Sequence, residues 1–333
     1  MLKATELEAL IYKYYLEVIM KKTVAILLVL MMAVSVFGAS SAFAAEDYSV
    51  DSLTFTYVTS PLNVPSIVDK ELGVFADTFQ GVKVDYAEIT SGADQTQALA
   101  SGDVQVLYAV GGTSVILSAA NGADIKVLNM YSRAPKAFCL FSTDESINSP
   151  EDLRGKTIAG PTGTNLHELL VSYLATAGMT ISDVNYVNMS IPNAKAALDG
   201  GSIDVAMLGG AAAYNAQNAG YHKITDGDGL IQAIICVAVT QKFYDEHPDV
   251  IEGLQKAQET IAQYMAENED AAMETAAKTL DLSVDAVKEM YAYYDFSLKI
   301  TETDVEGFQK TADFMHESGM IDDAYDVSGL FFS

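Results

Sequence analysis

Two stretches decide the fold: Ala98-Leu99-Ala100-Ser101-Gly102-Asp103-Val104-Gln105-Val106 and Ala197-Leu198-Asp199-Gly200-Gly201-Ser202-Ile203-Asp204-Val205. They align without a gap, and each is followed within a few residues by a glycine pair, Gly111-Gly112 and Gly209-Gly210. A helix end, a tight turn, a buried strand and a Gly-rich exit therefore occur twice. The repeat predicts two α/β halves of similar topology. The competing reading is chance, since short Ala/Gly-rich matches are common.

Outward from these stretches, residues 53 to 238 alternate short β-branched runs with amphipathic segments. Strands are predicted at 53–58, 82–89, 104–110, 125–130, 136–142, 157–159, 184–188, 203–208 and 232–240, bounded by Gly, Pro, Asn and Asp. Helical stretches are predicted at 64–71, 94–100, 166–177 and 194–198. This alternation argues for parallel sheets with helices on both faces. Residues 242–316 are rich in Ala, Glu, Lys and Met and read as several helices, with Pro192 and Pro248 near helix starts. The runs 136–142 and 232–240 fall at the two edges of the middle segment and are the natural crossings between halves. Lobe I is then 46–133 plus 237–333, and lobe II is 134–236. A ligand is expected in the crevice at the strand carboxyl ends, in a hinge-closing architecture.

Composition narrows the function. The 333 residues carry 19 Lys and Arg against 45 Asp and Glu, a net charge of −26. Basic clusters of the kind that neutralise phosphate are missing, so no nucleic-acid partner is expected. From residue 241 onward there are 21 acidic and 6 basic residues, read as a solvated outer face. The two cysteines, Cys139 and Cys236, exclude a disulfide scaffold or a cysteine-rich zinc site. They fall on the two proposed crossings, so they are either a hinge-pinning disulfide or two buried thiols.

Lys21 and Lys22 precede an almost wholly apolar run, Thr23 to Val36, and then Ala42-Phe43-Ala44. This is the three-part pattern of a secretory signal cleaved after Ala44, giving residues 1–44 as the signal segment and a periplasmic or secreted product. An uncleaved anchor is the alternative, although the apolar run is shorter than the ~20 residues a span prefers. Met20 or Met1 can serve as the start. No cysteine lies near the cleavage point to carry a lipid.

The segments Thr59-Ser60-Pro61 and Lys70-Glu71-Leu72-Gly73-Val74-Phe75 resemble the opening of the periplasmic substrate-binding proteins of ABC importers for nitrate, taurine and aliphatic sulfonates. Gln97 to Val104, Asp152 to Ala159, Gly163 to His167 and Ala197 to Ala206 fit the same family in order and spacing, over roughly residues 50–245. The resemblance implies an α/β two-lobe type II periplasmic-binding-protein fold, with two doubly wound sheets joined by two crossing strands and a helical C-terminal segment. It implies a monomer that carries a small molecule (sulfonate, carboxylate, oxyanion or vitamin precursor) to a permease and its ATPase, with no cofactor and no metal. The family often places a bulky or charged residue after the last Gly-rich strand of the second lobe. Here Gly209-Gly210-Ala211-Ala212-Ala213-Tyr214 stands instead, which predicts a roomier pocket.

The leading site candidate is Pro161-Thr162-Gly163-Thr164-Asn165, which follows a strand and opens a helix. Free backbone N–H groups and the helix dipole suit an oxyanion there, with Thr162 and Thr164 adding hydroxyls. A plain helix cap is the alternative. Lobe I offers Thr59, Ser60 and Asn63 at the first helix, Ser91 and Gly92 after the second strand, and Gly111, Gly112 and Thr113 after the third. Gly210 and Tyr214 are the matching candidates from lobe II. Tyr57 and Tyr108 either wall the cleft or pack in the core. Arg133, at the start of the first crossing, is either an anion clamp or one half of an ion pair; Arg154 is solvated. The net charge leaves a locally positive cleft, a zwitterion, a neutral solute or a cation all open.

Two other classes compete. A sensor subunit would present bound solute to a receptor. A secreted enzyme would need a catalytic constellation, yet His167, His222, His247 and His316 are scattered, and no Gly-x-Ser-x-Gly, His-Glu-x-x-His or Walker motif occurs.

Overall fold

The computed structural model describes residues 48–332; the proposed signal segment lies outside them. Ten strands are assigned: β1 (Ser52–Thr56), β2 (Lys83–Ala87), β3 (Leu107–Gly111), β4 (Lys126–Arg133), β5 (Phe138–Ser142), β6 (Thr157–Gly160), β7 (Asn185–Asn188), β8 (Val205–Gly209), β9 (His222–Asp226) and β10 (Ile234–Val239). The α-helices are α1 (Val64–Leu72), α2 (Val74–Thr78), α3 (Gly92–Ser101), α4 (Gly112–Ala120), α5 (Asn165–Ala175), α6 (Ile191–Asp199) and α7 (Gly210–Asn218). The acidic C-terminal part adds α8 (Gln241–Glu246), α9 (Pro248–Glu267), α10 (Glu269–Leu280), α11 (Val284–Tyr291) and α12 (Glu302–Glu317).

The repeat in the sequence is a repeat in the topology. One sheet has the order β7-β6-β8-β5-β9. On the other side, β2-β1 joins β3-β10-β4 through a parallel bridge between Phe55 and Val106, with the Thr56 N–H donating to the Val106 carbonyl at 3.0 Å. The combined order β2-β1-β3-β10-β4 matches the other sheet position for position. Strand β3 after α3 corresponds to β8 after α6, so the two matching sequence stretches occupy equivalent places. The glycine pairs also correspond: Gly111 ends β3 and Gly112 opens α4, while Gly209 ends β8 and Gly210 opens α7.

The sheets are mixed rather than parallel. Strands β1-β2, β6-β7 and β6-β8 pair in parallel, but β10 runs antiparallel to both β3 and β4, and β5 antiparallel to both β8 and β9. The reversed strand in each sheet is the one that arrives from the other. The crossings are therefore shorter than expected. Residues 134–137 lead from β4 to β5, and 227–233 lead from β9 to β10, while 136–142 and 232–240 lie mostly within single sheets. The two crossings touch where the Ala134 N–H donates to the Ala233 carbonyl at 3.4 Å.

Sequence periodicity missed β9, whose His-Lys-Ile-Thr-Asp run is polar because it forms the sheet edge and pairs only with β5. Tyr108 belongs to the core: Phe75 meets it edge-on at 5.1 Å, and Tyr131 meets it at 5.0 Å. Tyr57 is buried, with the Lys70 ammonium 3.8 Å from its ring centroid. Cys139 and Cys236 are free, buried thiols on strands of different sheets. Burial pushes the Cys139 thiol up to about 12, so it behaves as a small apolar group rather than a nucleophile. Among the described residues, no helix is long and apolar enough to cross a membrane.

Candidate functional site

The carboxyl ends of β1, β3 and β6 meet around a cavity of about 80 Å³. Its polar lining includes Ser60, Asn63, Gln95, Gly111, Thr164 and Asn165; Val58, Ala109, Phe138, Leu166 and Ile235 supply apolar walls. No titratable side chain is among the described residues that line it. Two helices open onto it without a side-chain cap. Gly111, the residue before α4, has no side chain to offer, and Thr164, before α5, turns its hydroxyl to the Pro161 carbonyl at 2.9 Å. First-turn N–H groups of both helices are thus left for a bound acceptor, and two positive dipole ends lie at one small cavity.

Local backbone choices build this wall. Strand β10 pairs Cys236 with Val110 and Val237 with Tyr108, so Ala109 is the extra residue of a bulge. Its φ of 77° is uncommon for a residue with a side chain. Bulges of this kind re-aim a strand next to a site. Asn63 is buried and holds its loop in place by donating to the Val58 carbonyl at 2.9 Å.

The two halves are in contact across the cavity. Ser114 Oγ on α4 donates to the Gly163 carbonyl at 2.6 Å. Thr113 Oγ1 lies 2.9 Å from Asn165 Oδ1 and 2.6 Å from Glu168 Oε2 on α5. Thr311 on α12 donates to Glu168 Oε1 at 2.9 Å. Burial pushes the Glu168 carboxyl above its ordinary value, and the two threonine hydroxyls pull in the opposite sense. Gly210 completes the contact. A Cβ there would lie 1.4 Å from the Pro61 carbonyl oxygen, and its φ is 56°.

Of the residues expected from the sequence, Ser60, Asn63, Gly92, Gly111, Thr164 and Asn165 line the cavity. The others have different places. Thr59 lies beside the wall and supplies the carbonyl that accepts from the Asn63 N–H. Ser91 caps α3 by accepting from the Asp94 N–H. Gly112 faces Phe308, and Thr113 faces Asn165 and Glu168. Thr162 is taken up by Asn188 and Tyr186, and the Gly163 N–H by the His167 ring nitrogen, so these donors of the glycine loop are already spent. His167 stacks on Tyr186, with ring centroids 5.0 Å apart.

Arg133 is the ion-pair half of its two readings. Its Nε lies 2.5 Å from Asp304 Oδ1 and a terminal nitrogen 2.7 Å from Oδ2, and it also donates to the Ser297 and Lys299 carbonyls. Arg154 pairs with Asp183. The small residues after β8 do not open the cavity either, because Pro61 packs onto Gly210. Gly210 and Tyr214 instead border a second, larger cavity of about 260 Å³ beside the crossings. Among its charged residues Lys136 pairs with Asp228 at 3.3 Å and Lys223 with Asp226 at 2.8 Å, and Glu289 adds a further carboxylate. The smaller cavity is the stronger candidate, since uncapped helix starts from both sheets, α4 and α5, meet there, whereas the larger cavity has one, that of α7 at Gly210. Gln95 and Ser114 were missed because each reads as an ordinary polar residue in the first turn of a helix, and only the packing brings them to the cavity.

Two sheets of one strand order, joined by two short crossings and closed over a cavity at their strand ends, define the periplasmic-binding-protein fold. The chain belongs to the NMT1/THI5-like family, whose model matches residues 60–272. It is 31% identical to the taurine-binding periplasmic protein of Escherichia coli, over 66% of this chain and 68% of that one. It is 26% identical to a putative aliphatic sulfonates-binding protein of Bacillus subtilis, over 80% and 82%. The alkanesulfonate-binding protein SsuA from Xanthomonas axonopodis pv. citri, solved bound to MOPS, superposes with a TM-score of 0.77 at 19% identity, covering 85% of this chain and 98% of that one.

Proposed function

We propose that this chain is the extracytoplasmic solute-binding component of an ABC importer, which captures a small organic anion of the sulfonate or carboxylate type and hands it to a permease driven by an ATPase. Lobe I, residues 46–133 with 237–333, and lobe II, residues 134–236, close on the solute. The chain acts as a monomer, exported by the segment 1–44. The observation that carries the reading is the pair of uncapped helix starts, one from each lobe, on one uncharged cavity. Backbone dipoles can hold an anion there without a basic side chain, so the strongly negative surface and an anionic solute are compatible. Family membership and the periplasmic binding proteins among its relatives support the same reading. Closure follows from the solute touching both lobes at once, contacts that an open form lacks.

The test is a melting-temperature screen of sulfonates, carboxylates, amino acids, inorganic oxyanions and vitamin precursors, followed by calorimetry. A solute is expected to raise the melting temperature with the logarithm of its excess over Kd and to be recovered unchanged. Absence of any stabilising anion, or conversion of one to product, rejects the proposal.

A further inference from the structure

Thr56 ends β1 and is 1% exposed, and it is not among the residues that line the cavity. Beside it β1 and β3 run as a parallel ladder. The Val106 N–H donates to the Thr54 carbonyl at 3.3 Å, and the Thr56 N–H to the Val106 carbonyl at 3.0 Å. The next rung of such a ladder would join the Tyr108 N–H to the Thr56 main-chain carbonyl. Instead the Tyr108 N–H donates to Thr56 Oγ1 at 2.7 Å, and that hydroxyl donates to the Tyr108 carbonyl at 3.0 Å. One side chain thus takes both main-chain polar groups of the residue that precedes the Ala109 bulge. A buried N–H or carbonyl left unpaired is costly, so the bulge depends on this hydroxyl.

The other sheet has neither feature. Val205 matches Val106 in the sequence repeat, and it pairs with Ile158 as Val106 pairs with Phe55, so Ala159 stands where Thr56 does. Ala159 has no hydroxyl, and β8 pairs with β5 in one unbroken register. Strand β10, by contrast, shifts register against β3 between Cys236 and Val237. The hydroxyl and the bulge therefore occur together, in the sheet that needs them. Ala109, Gly111 and Ser114 line the cavity, and Gly111 is the residue before the uncapped start of α4. We propose that Thr56 is a positioning residue of the solute site: its hydroxyl holds the Ala109 bulge, and the bulge aims the N-terminus of α4 at the cavity. The proposal deepens the reading of this cavity as an anion site and rests on it.

The test compares Thr56→Val, which keeps the shape and removes the hydroxyl, with Thr56→Ser, which keeps the hydroxyl, in the whole chain. Hydrogen–deuterium exchange without solute is the first readout. Over residues 107–114 it is expected to speed at least about tenfold in Thr56→Val and to stay within about twofold in Thr56→Ser. Residues 205–212, the matching segment of the other sheet, should be unaltered in both, whereas a general loss of stability would speed both segments. Calorimetry with ethanesulfonate and acetate is the second readout. Both probes are expected to bind Thr56→Val about tenfold more weakly, by a common factor because they meet the same helix start, and Thr56→Ser is expected to restore them. Unaltered exchange over 107–114 in Thr56→Val, or an equal rise over 205–212, overturns the proposal. So does a local rise in exchange with unaltered affinity. Failure of both probes to bind the unaltered protein overturns the anion site itself, whatever the exchange shows of the bulge. Where Thr56→Val does not fold, Thr56→Cys replaces it, since a thiol is a weak donor; exchange and affinity equal to those of the unaltered protein would then overturn the proposal.

Discussion

Thr113 Oγ1 and Glu168 Oε2 lie 2.6 Å apart, and this contact ties a helix of one sheet to a helix of the other across the closed cavity. Glu168 is 4% exposed and its second oxygen accepts from Thr311, so a carboxylate of α5 is held between two elements of the opposite half.

This contact predicts a pH effect on closure. Burial raises the Glu168 pKa in the closed form relative to an open form in which the carboxyl meets water. The closed form therefore binds the proton better, and closure is most favoured below the ordinary glutamate value of about 4.3. That advantage is lost as pH rises through the raised value. Solute affinity is expected to fall over this window, and Glu168→Gln is expected to flatten the profile. Thr113→Val, which removes one of the two donors, should weaken binding about tenfold at pH 7. A constant ratio of affinities between Glu168→Gln and the unaltered protein from pH 4.5 to 8 would sink the idea.

Gly210 predicts a steric block. With a Cβ 1.4 Å from the Pro61 carbonyl oxygen, Gly210→Ala cannot make the closed contact without moving the loop. The variant should fold, losing about 1 kcal/mol from the left-handed backbone, yet bind solute at least about a hundredfold more weakly. Calorimetry measures the affinity, and small-angle scattering should show a larger radius with solute present. Unaltered affinity would mean that this contact plays no part in capture.

Arg133 predicts a stability effect without a binding effect. Asp304 is 4% exposed, and Arg133→Ala leaves it without its cation. A cost of about 3–5 kcal/mol is expected. Lysine restores only part of it, since an ammonium cannot make the paired contact. At a temperature where the variant is folded, affinity should match that of the unaltered protein. A selective loss of affinity with unchanged stability would restore Arg133 as an anion clamp.

Asp69 predicts acid stabilisation. It is fully buried and accepts from the Phe75 N–H at 2.8 Å and the Tyr86 hydroxyl at 2.5 Å; burial raises its pKa to about 6. A raised carboxyl binds its proton better in the folded chain. Its contribution is full below about pH 3.9 and is lost as pH climbs to about 6. The loss is at most about 3 kcal/mol. Urea unfolding at pH 4, 5, 6 and 7 should show this slope in the unaltered protein and a flatter one in Asp69→Asn. Parallel slopes would refute it.

Much of this was visible in the chain. All nine strands read from β-branched runs exist, and the repeated helix-turn-strand-glycine pattern falls on α3–β3 and α6–β8. These features are local: propensity, turn residues and periodicity act within a few positions. The reversed strands β5 and β10 were not visible, because direction within a sheet depends on where the chain comes from. The site divides in the same way. Ser60, Asn63, Gly111, Thr164 and Asn165 sit at strand-to-helix junctions, which sequence marks. Gln95 and Ser114 share the cavity only because their helices are turned toward it.

By itself, then, the sequence determined that two α/β halves of one design would form, because short-range backbone preferences suffice for that. Tertiary structure alone decided that Arg133 would be spent on Asp304, that Pro61 would fill the space above Gly210, and that no charged side chain would line the cavity. Each of these depends on groups far apart in the chain meeting at a few ångströms, and the cost or gain of burying a polar atom is set by those partners.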